Sequence, residues 1–336
     1  MPTFCRHNRF IERCPICSKT LPGNEPPPGT PRRAGSAGAT RSRSPRSSRA
    51  DGLTVRREGR AEEDGYSSSL VPGLRASADA RRLAEELSFS SARLASLASA
   101  PPGVYEQALD AAAGGDLDRA SWIAFLLAYL SPAEDEEPFA GAEAVLAAAP
   151  APGALTPELA GLLDEVPRGP RSSHQPGSGA RTLAAYAQWA ERSGGQSAAF
   201  SGGGEWSPER RFARVFERLA LPGLHRGARY EMLTSLGRLG VYEVRAESLH
   251  LGTARGATGG EDEAALAAKR VFGIGDPLLL DRRATALAEA AGVPLEALDL
   301  ALFNWSRPPG SERATLGFRP ESRPDAESQA AAALAL

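Results

Sequence analysis

Lysine is nearly missing from this chain: of 39 basic residues only Lys19 and Lys269 are lysine, and the rest are arginine. A mechanism through a lysine Schiff base therefore has at most two candidates. Cysteine is confined to positions 5, 14 and 17, which excludes a disulfide framework for the chain as a whole. Aromatic residues are only 6% of the total, and no segment alternates apolar and polar residues for long enough to argue a sheet. The longest apolar run, Trp122 to Leu130, falls short of the ~20 residues that span a bilayer and reads as a buried helix. The opening MPTFCRHNRF has no apolar stretch of the kind a signal peptide needs. No membrane association and a cytoplasmic location are the resulting expectations.

Charge is abundant but badly mixed. The formal total is −2, from 39 basic and 41 acidic residues. Residues 31–60 hold nine arginines against Asp51 and Glu58, whereas residues 101–166 hold twelve carboxylates against Arg119. Near-neutrality is thus a sum of opposed segments, and it does not exclude an anionic partner.

The three cysteines and His7 form Cys5-x-His7-x6-Cys14-x2-Cys17. Thiolate and imidazole are the ligands Zn²⁺ prefers, and four of them close a structural site with no open position. A disulfide would leave one cysteine over and the histidine unused. Residues 1–19 are read as a zinc-knuckle-like module ringed by Arg6, Arg9, Arg13 and Lys19. Residues 20–76, rich in Pro, Gly, Ser and Arg, are read as a disordered basic linker. Its arginines suit phosphates without sequence preference, or serve solubility alone.

From residue 77 the apolar spacing turns helical, and the ordered part, 77–306, is expected to be all α. The loop RGPRSSHQPGSG at 168–179 divides it into an acidic lobe (77–166) and a more basic one (180–306). Residues 307–336 are expected to be a mostly disordered tail. Within the second lobe, Ser207-Pro208 starts a helix with Phe212, Val215 and Phe216 on its apolar face and Arg210, Arg211, Arg214 and Arg218 opposite. LPGLHRGARY turns at Pro222-Gly223 into a helix from Arg226. A further helix spans about 262–271, and another runs from Leu278 to Ala291. Between them lies Val271-Phe272-Gly273-Ile274-Gly275-Asp276. Two glycines permit a tight turn beside a helix N-terminus, which is a ready phosphate site; a plain helix-to-helix turn needs glycine as well. Lys269, Arg226, Arg229, Arg282 and Arg283 are the candidate phosphate contacts. Trp206, Tyr230 and Trp305 are candidate stacking partners for a base, and His225 and His250 are candidate acid–base groups. Each also has an ordinary structural reading.

The apolar-Gly-apolar-Gly turn between helices resembles the helix-hairpin-helix of DNA glycosylases. That resemblance implies a two-lobed glycosylase-like fold and places a catalytic aspartate at Asp299, within Ala297-Leu298-Asp299-Leu300-Ala301-Leu302-Phe303. Asp276 and Pro277 stand where lyase-type members carry their lysine, which leaves a monofunctional role. More extensively, CRHNRFIERCPIC, SWIAFLLAYLSP, RRFARVFERLALPGLHRGARYEMLTSLGRLG and AAKRVFGIGDPLLLDRRA with VPLEALDLALFNW together resemble the α-glutamyl/putrescinyl thymine pyrophosphorylase-like family, third clade. The resemblance implies DNA as partner and a hydroxymethyluracil-type base as target. In the implied reaction an amine displaces pyrophosphate from the pyrophosphorylated base. Three readings stay open: a transferase of this kind, a monofunctional glycosylase, or a non-catalytic zinc-containing adaptor that binds DNA or a protein partner.

Overall fold

The computed structural model describes residues 61–153, 156–253 and 261–336. Cys5, His7, Cys14 and Cys17 lie outside them, as does most of the 20–76 segment. The described residues belong to one compact unit. Among the described residues there are thirteen α-helices and no β-strand, in line with the all-α expectation. No helix there is long and apolar enough to cross a membrane.

Three helices are enclosed on all sides. In α3 (Leu117–Leu130) every residue from Ala120 to Leu130 is buried, because the run is apolar around its whole circumference. Asp116 caps its start by accepting from the Arg119 N–H at 2.9 Å. Ser131 ends it in the left-handed region, at φ 49°, just before Pro132. In α9 (Arg226–Arg238) residues Arg226 to Leu236 are buried. In α12 (Ala297–Ser306) residues Ala297 to Trp305 are buried. Unlike α3, both α9 and α12 carry charges into the interior: Arg226, Arg229 and Glu231 on one, Asp299 on the other.

Around these pack α1 (Ser77–Ser99), α2 (Val104–Ala113), α4 (Ala140–Ala148), α5 (Pro157–Glu165), α6 (Gly179–Arg192), α7 (Gln196–Ser201), α8 (Pro208–Arg218), α10 (Glu263–Phe272), α11 (Pro277–Ala291) and α13 (Pro324–Ala333). The helices expected near 207, 226, 262 and 278 are all present. The short α7 is an addition, lying in a Ser/Gly-rich stretch that reads as loop.

Three expectations need correction. Residues 61–76 belong to the folded unit: Val71, Leu74 and Ala76 are buried, and the Gly73 N–H donates to the Val271 carbonyl at 2.9 Å. The 168–179 segment does not simply divide two lobes. Arg171, Ser173 and His174 are buried, and α1 contacts α9, α12 and α13 across the supposed boundary. The C-terminal stretch is packed, with Ala314, Thr315, Leu316, Ala330 and Leu334 buried. Its backbone is held by core side chains. Asn304 accepts from the Ala314 N–H at 2.9 Å and donates to the Ala314 carbonyl at 3.3 Å, and Arg93 Nε donates to the Thr315 carbonyl at 3.2 Å. The two ends of the described unit meet, with the Tyr66 hydroxyl donating to the Leu334 carbonyl at 2.6 Å.

Candidate functional site

The buried charges of α9 and α12 join a longer alternating series. Arg93 Nη1 on α1 pairs with Glu231 Oε1 at 2.9 Å, and Glu231 Oε2 lies 3.7 Å from Arg171 Nη1. Arg171 Nη2 pairs with Asp299 Oδ2, and Arg226 Nη2 pairs with Asp299 Oδ1. Arg226 Nε then pairs with Asp262 Oδ1 at 3.0 Å, and its Nη1 donates to the Leu249 carbonyl at 2.9 Å. Arg93, Glu231, Arg171, Asp299, Arg226 and Asp262 therefore run positive, negative, positive, negative, positive, negative through the core, all six buried. Such groups are tolerated inside only when each is paired and hydrogen-bonded.

Local sequence explains the placement. Asp299 is the third residue of α12, in the first turn, where a carboxylate is favoured by the helix dipole. Asp262 caps α10, accepting from the Ala265 N–H at 3.2 Å with the same oxygen that meets Arg226. Arg171 comes from irregular chain. Ser173 holds that chain in place: its N–H donates to the Tyr129 carbonyl at 2.9 Å, and its hydroxyl donates to Gly223 O at 2.8 Å while accepting from the His225 N–H at 2.7 Å. Gly227, one residue into α9, leaves the space Arg171 lies in. A Cβ there would sit 3.2 Å from Arg171 Nε.

The electrostatics follow. Burial pushes the Asp299 carboxyl up, but Arg171 and Arg226 pull it further down, so it lies below the ordinary carboxylate range. Burial lowers Arg226 as well, yet Asp299 and Asp262 leave it raised overall. Arg229 follows the other course: burial and then the charge of Arg226 lower it to about 10. Its guanidinium lies 4.4 Å from the Phe216 ring centre and donates to the Phe216 carbonyl at 3.1 Å. Glu296 and Asp281 add their charge to the same neighbourhood, acting on Tyr230 together with Asp299 and Arg226. The pairing with Arg171 and Arg226 keeps Asp299 ionised and makes it a poor proton acceptor near neutral pH.

The hairpin is on the surface. Gly273 ends α10 at φ +65°. Gly275 is exposed, lies outside the left-handed region, and a Cβ there would meet nothing within 4 Å. Neither backbone geometry nor internal packing requires a glycine at 275. Asp276 caps α11 by accepting from the Leu279 N–H at 3.1 Å, and Pro277 occupies the first turn. Behind the turn, Gly73 packs so closely that a Cβ would run into the Arg270 carbonyl.

The candidate residues therefore fall into two groups. Gly273, Gly275, Lys269, Arg282 and Arg283 lie on or near the exposed hairpin. Lys269 pairs with Glu261, Arg283 donates to the Ser69 carbonyl at 2.8 Å, and Arg282 is exposed. Asp299, Arg226 and Arg229 lie in the core. Of the aromatics, Tyr230 and Trp305 are buried and Trp206 is half-buried. Burial lowers His225 and His250 below the usual imidazole range. Among the described residues no group of His, Cys, Asp and Glu is arranged to hold a metal. Sequence reasoning missed Arg171, Glu231, Arg93 and Asp262. The one signal for Arg171 was the density of hydrogen-bonding side chains in Arg171-Ser172-Ser173-His174, which allows a loop to be buried.

No curated protein and no solved structure matches the chain. Residues 171–313 match the family model described as Alpha-glutamyl/putrescinyl thymine pyrophosphorylase clade 3. The matched segment opens on Arg171 and contains Arg226, Glu231, Asp262, the hairpin and Asp299. Over residues 171–313 the chain is thus similar to the α-glutamyl/putrescinyl thymine pyrophosphorylase family, clade 3.

Proposed function

We propose that the protein is a thymine-modifying pyrophosphorylase-like enzyme that binds DNA, flips a hydroxymethyluracil-type base from the stack and exchanges pyrophosphate on that base for an amine. The family's description supports the reaction class. The observation that carries the choice of chemistry is the pair of guanidiniums, Arg171 and Arg226, held on Asp299. In the exchange, the amine nitrogen forms a bond to the exocyclic carbon, the carbon–oxygen bond to pyrophosphate breaks, and the amine loses a proton. The group needing stabilisation is a departing anion, which guanidiniums suit. A glycosylase instead develops positive charge on the sugar. Asp299, neutralised by Arg171 and Arg226, would have to give up those partners to meet it.

In this reading Asp299 is a positioning residue that presents Arg171 and Arg226, and the proton acceptor for the amine is another group. The exposed hairpin supplies phosphate contacts through Gly273 and Gly275, with Lys269, Arg282 and Arg283 beside it. Arg226 and Arg229 act from within the core. Cys5, His7, Cys14 and Cys17 hold a structural zinc that supplies no step of the reaction.

The test is to incubate the full chain with DNA containing pyrophosphorylated 5-hydroxymethyluracil and putrescine or glutamate, and to follow the products by mass spectrometry. Released pyrophosphate with a heavier retained base is expected. A freed base would establish the glycosylase reading instead. Tight binding without product would establish the adaptor. Asp299→Glu should retain part of kcat with the acid limb of the pH profile unmoved; a shifted limb would make Asp299 the proton acceptor after all.

A further inference from the structure

The sequence places four arginines opposite the apolar face of α8, and the hairpin chemistry leaves them without a task. Arg210, Arg214 and Arg218 are all exposed and follow one another at four-residue steps, so they form a stripe with a rise of about 6 Å per step. Their present partners are weak. Arg214 meets Glu217 at 3.3 Å, with both side chains more than half exposed, a kind of pair worth little in water. Arg218 donates to the Ser193 hydroxyl at 2.9 Å. At the head of the stripe is Trp206, half-buried, with the Arg210 guanidinium 5.8 Å from its ring centre.

Trp206 is held there by construction. A Cβ at Gly202 would run into its ring, and one at Gly203 would lie 2.9 Å from its Nε1, so the indole rests on bare backbone. Arg211 fixes the same loop from beneath, donating to the carbonyls of Ser201 at 2.8 Å, Trp206 at 3.2 Å and Glu243 at 2.6 Å. A half-exposed aromatic held rigidly beside a row of cations is the combination that binds a single nucleic-acid strand, with phosphates along the charges and a base on the ring.

We propose that the α8 face, Trp206 with Arg210, Arg214 and Arg218, is a second DNA contact that takes a single strand. It rests on the DNA-binding reading above. The test is binding of full-length protein to unmodified single-stranded oligothymidylate over a salt series. Replacing the three arginines by glutamine should weaken binding at least about tenfold and flatten the slope of log K against log salt by about two, at roughly 0.7 per lost contact. Trp206→Ala should lose about tenfold and Trp206→Phe should restore most of it. Photocrosslinking of 5-iodouracil oligothymidylate to the wild-type protein should label the peptide containing Trp206, a readout that needs no variant to fold. A folded triple variant with wild-type affinity and slope, with crosslinks elsewhere, overturns the α8 surface alone. Failure of the wild type to bind any DNA removes the underlying reading as well. Capture by phosphatidylserine vesicles with no oligothymidylate binding makes the face a membrane contact and overturns the proposal.

Discussion

Asp299 and Arg226 are joined side chain to side chain between two enclosed helices, and Asp299 spends its other oxygen on Arg171. Removing the carboxylate leaves two buried guanidiniums facing each other. Asp299→Asn should therefore destabilise the fold by about 3–5 kcal/mol, a large share of an ordinary domain's stability. Urea unfolding of wild type and variant measures it. A loss below about 1 kcal/mol would mean that the pairing seen here contributes little.

Gly227→Ala puts a better helix former into α9, a gain of about 1 kcal/mol by propensity alone. Its Cβ would crowd Arg171 Nε at 3.2 Å. The substitution should nonetheless be destabilising in the wild-type background. In an Arg171→Ala background, where the crowded group is gone, the same substitution should be neutral or stabilising. Equal effects in both backgrounds would show that Arg171 is not what Gly227 makes room for.

Stability should fall on acidification in two stages. Burial lowers His174, His225 and His250 below their ordinary value of 6.5, so the unfolded chain binds more protons. Stability is lost as pH drops below about 6.5. Asp299 also lies below its ordinary 3.8; its contribution is present above that value and is lost as pH falls through the folded value. At the alkaline end burial pushes Tyr105, Tyr129 and Tyr242 up to about 12, so stability declines as pH rises from about 10, where these tyrosines ionise in the unfolded chain. Thermal melts across the pH range check the signs. Greater stability at pH 5 than at pH 7 would contradict the histidine assignment.

Purified protein should carry one zinc per chain through Cys5, His7, Cys14 and Cys17. Cys14→Ser should abolish or sharply weaken it. Elemental analysis of protein prepared without chelator decides the matter; zinc retained at full occupancy in the variant would mean that the ligand set is different.

Helix existence was legible because apolar spacing and caps were local: Ser207-Pro208 and the glycine turn at Gly273 could be read directly. The buried charge series was not legible. Arg93, Arg171, Glu231 and Asp262 are far apart in sequence, and each looks like a solvated residue until the fold brings it against its neighbour. The same holds for the C-terminal segment. Its order comes from Asn304 and Arg93 reaching its carbonyls, and its composition gives no hint of this. Asp299 was found through the resemblance and Arg226 was named as a phosphate contact, but their pairing, and Arg171 as the second partner, came only from the fold.

The Tyr66 hydroxyl on the Leu334 carbonyl closes the described unit into a ring. Ends that lie together make a unit tolerant of circular permutation. Joining residue 336 to residue 61 through a short linker, and opening the chain instead in the exposed run at Glu136, would keep α13 on α1 while moving the termini to the acidic loop. A permuted chain of this kind that folds with wild-type thermal stability would show that the packing, not the order of the helices along the chain, specifies the unit; one that fails to fold would show the reverse.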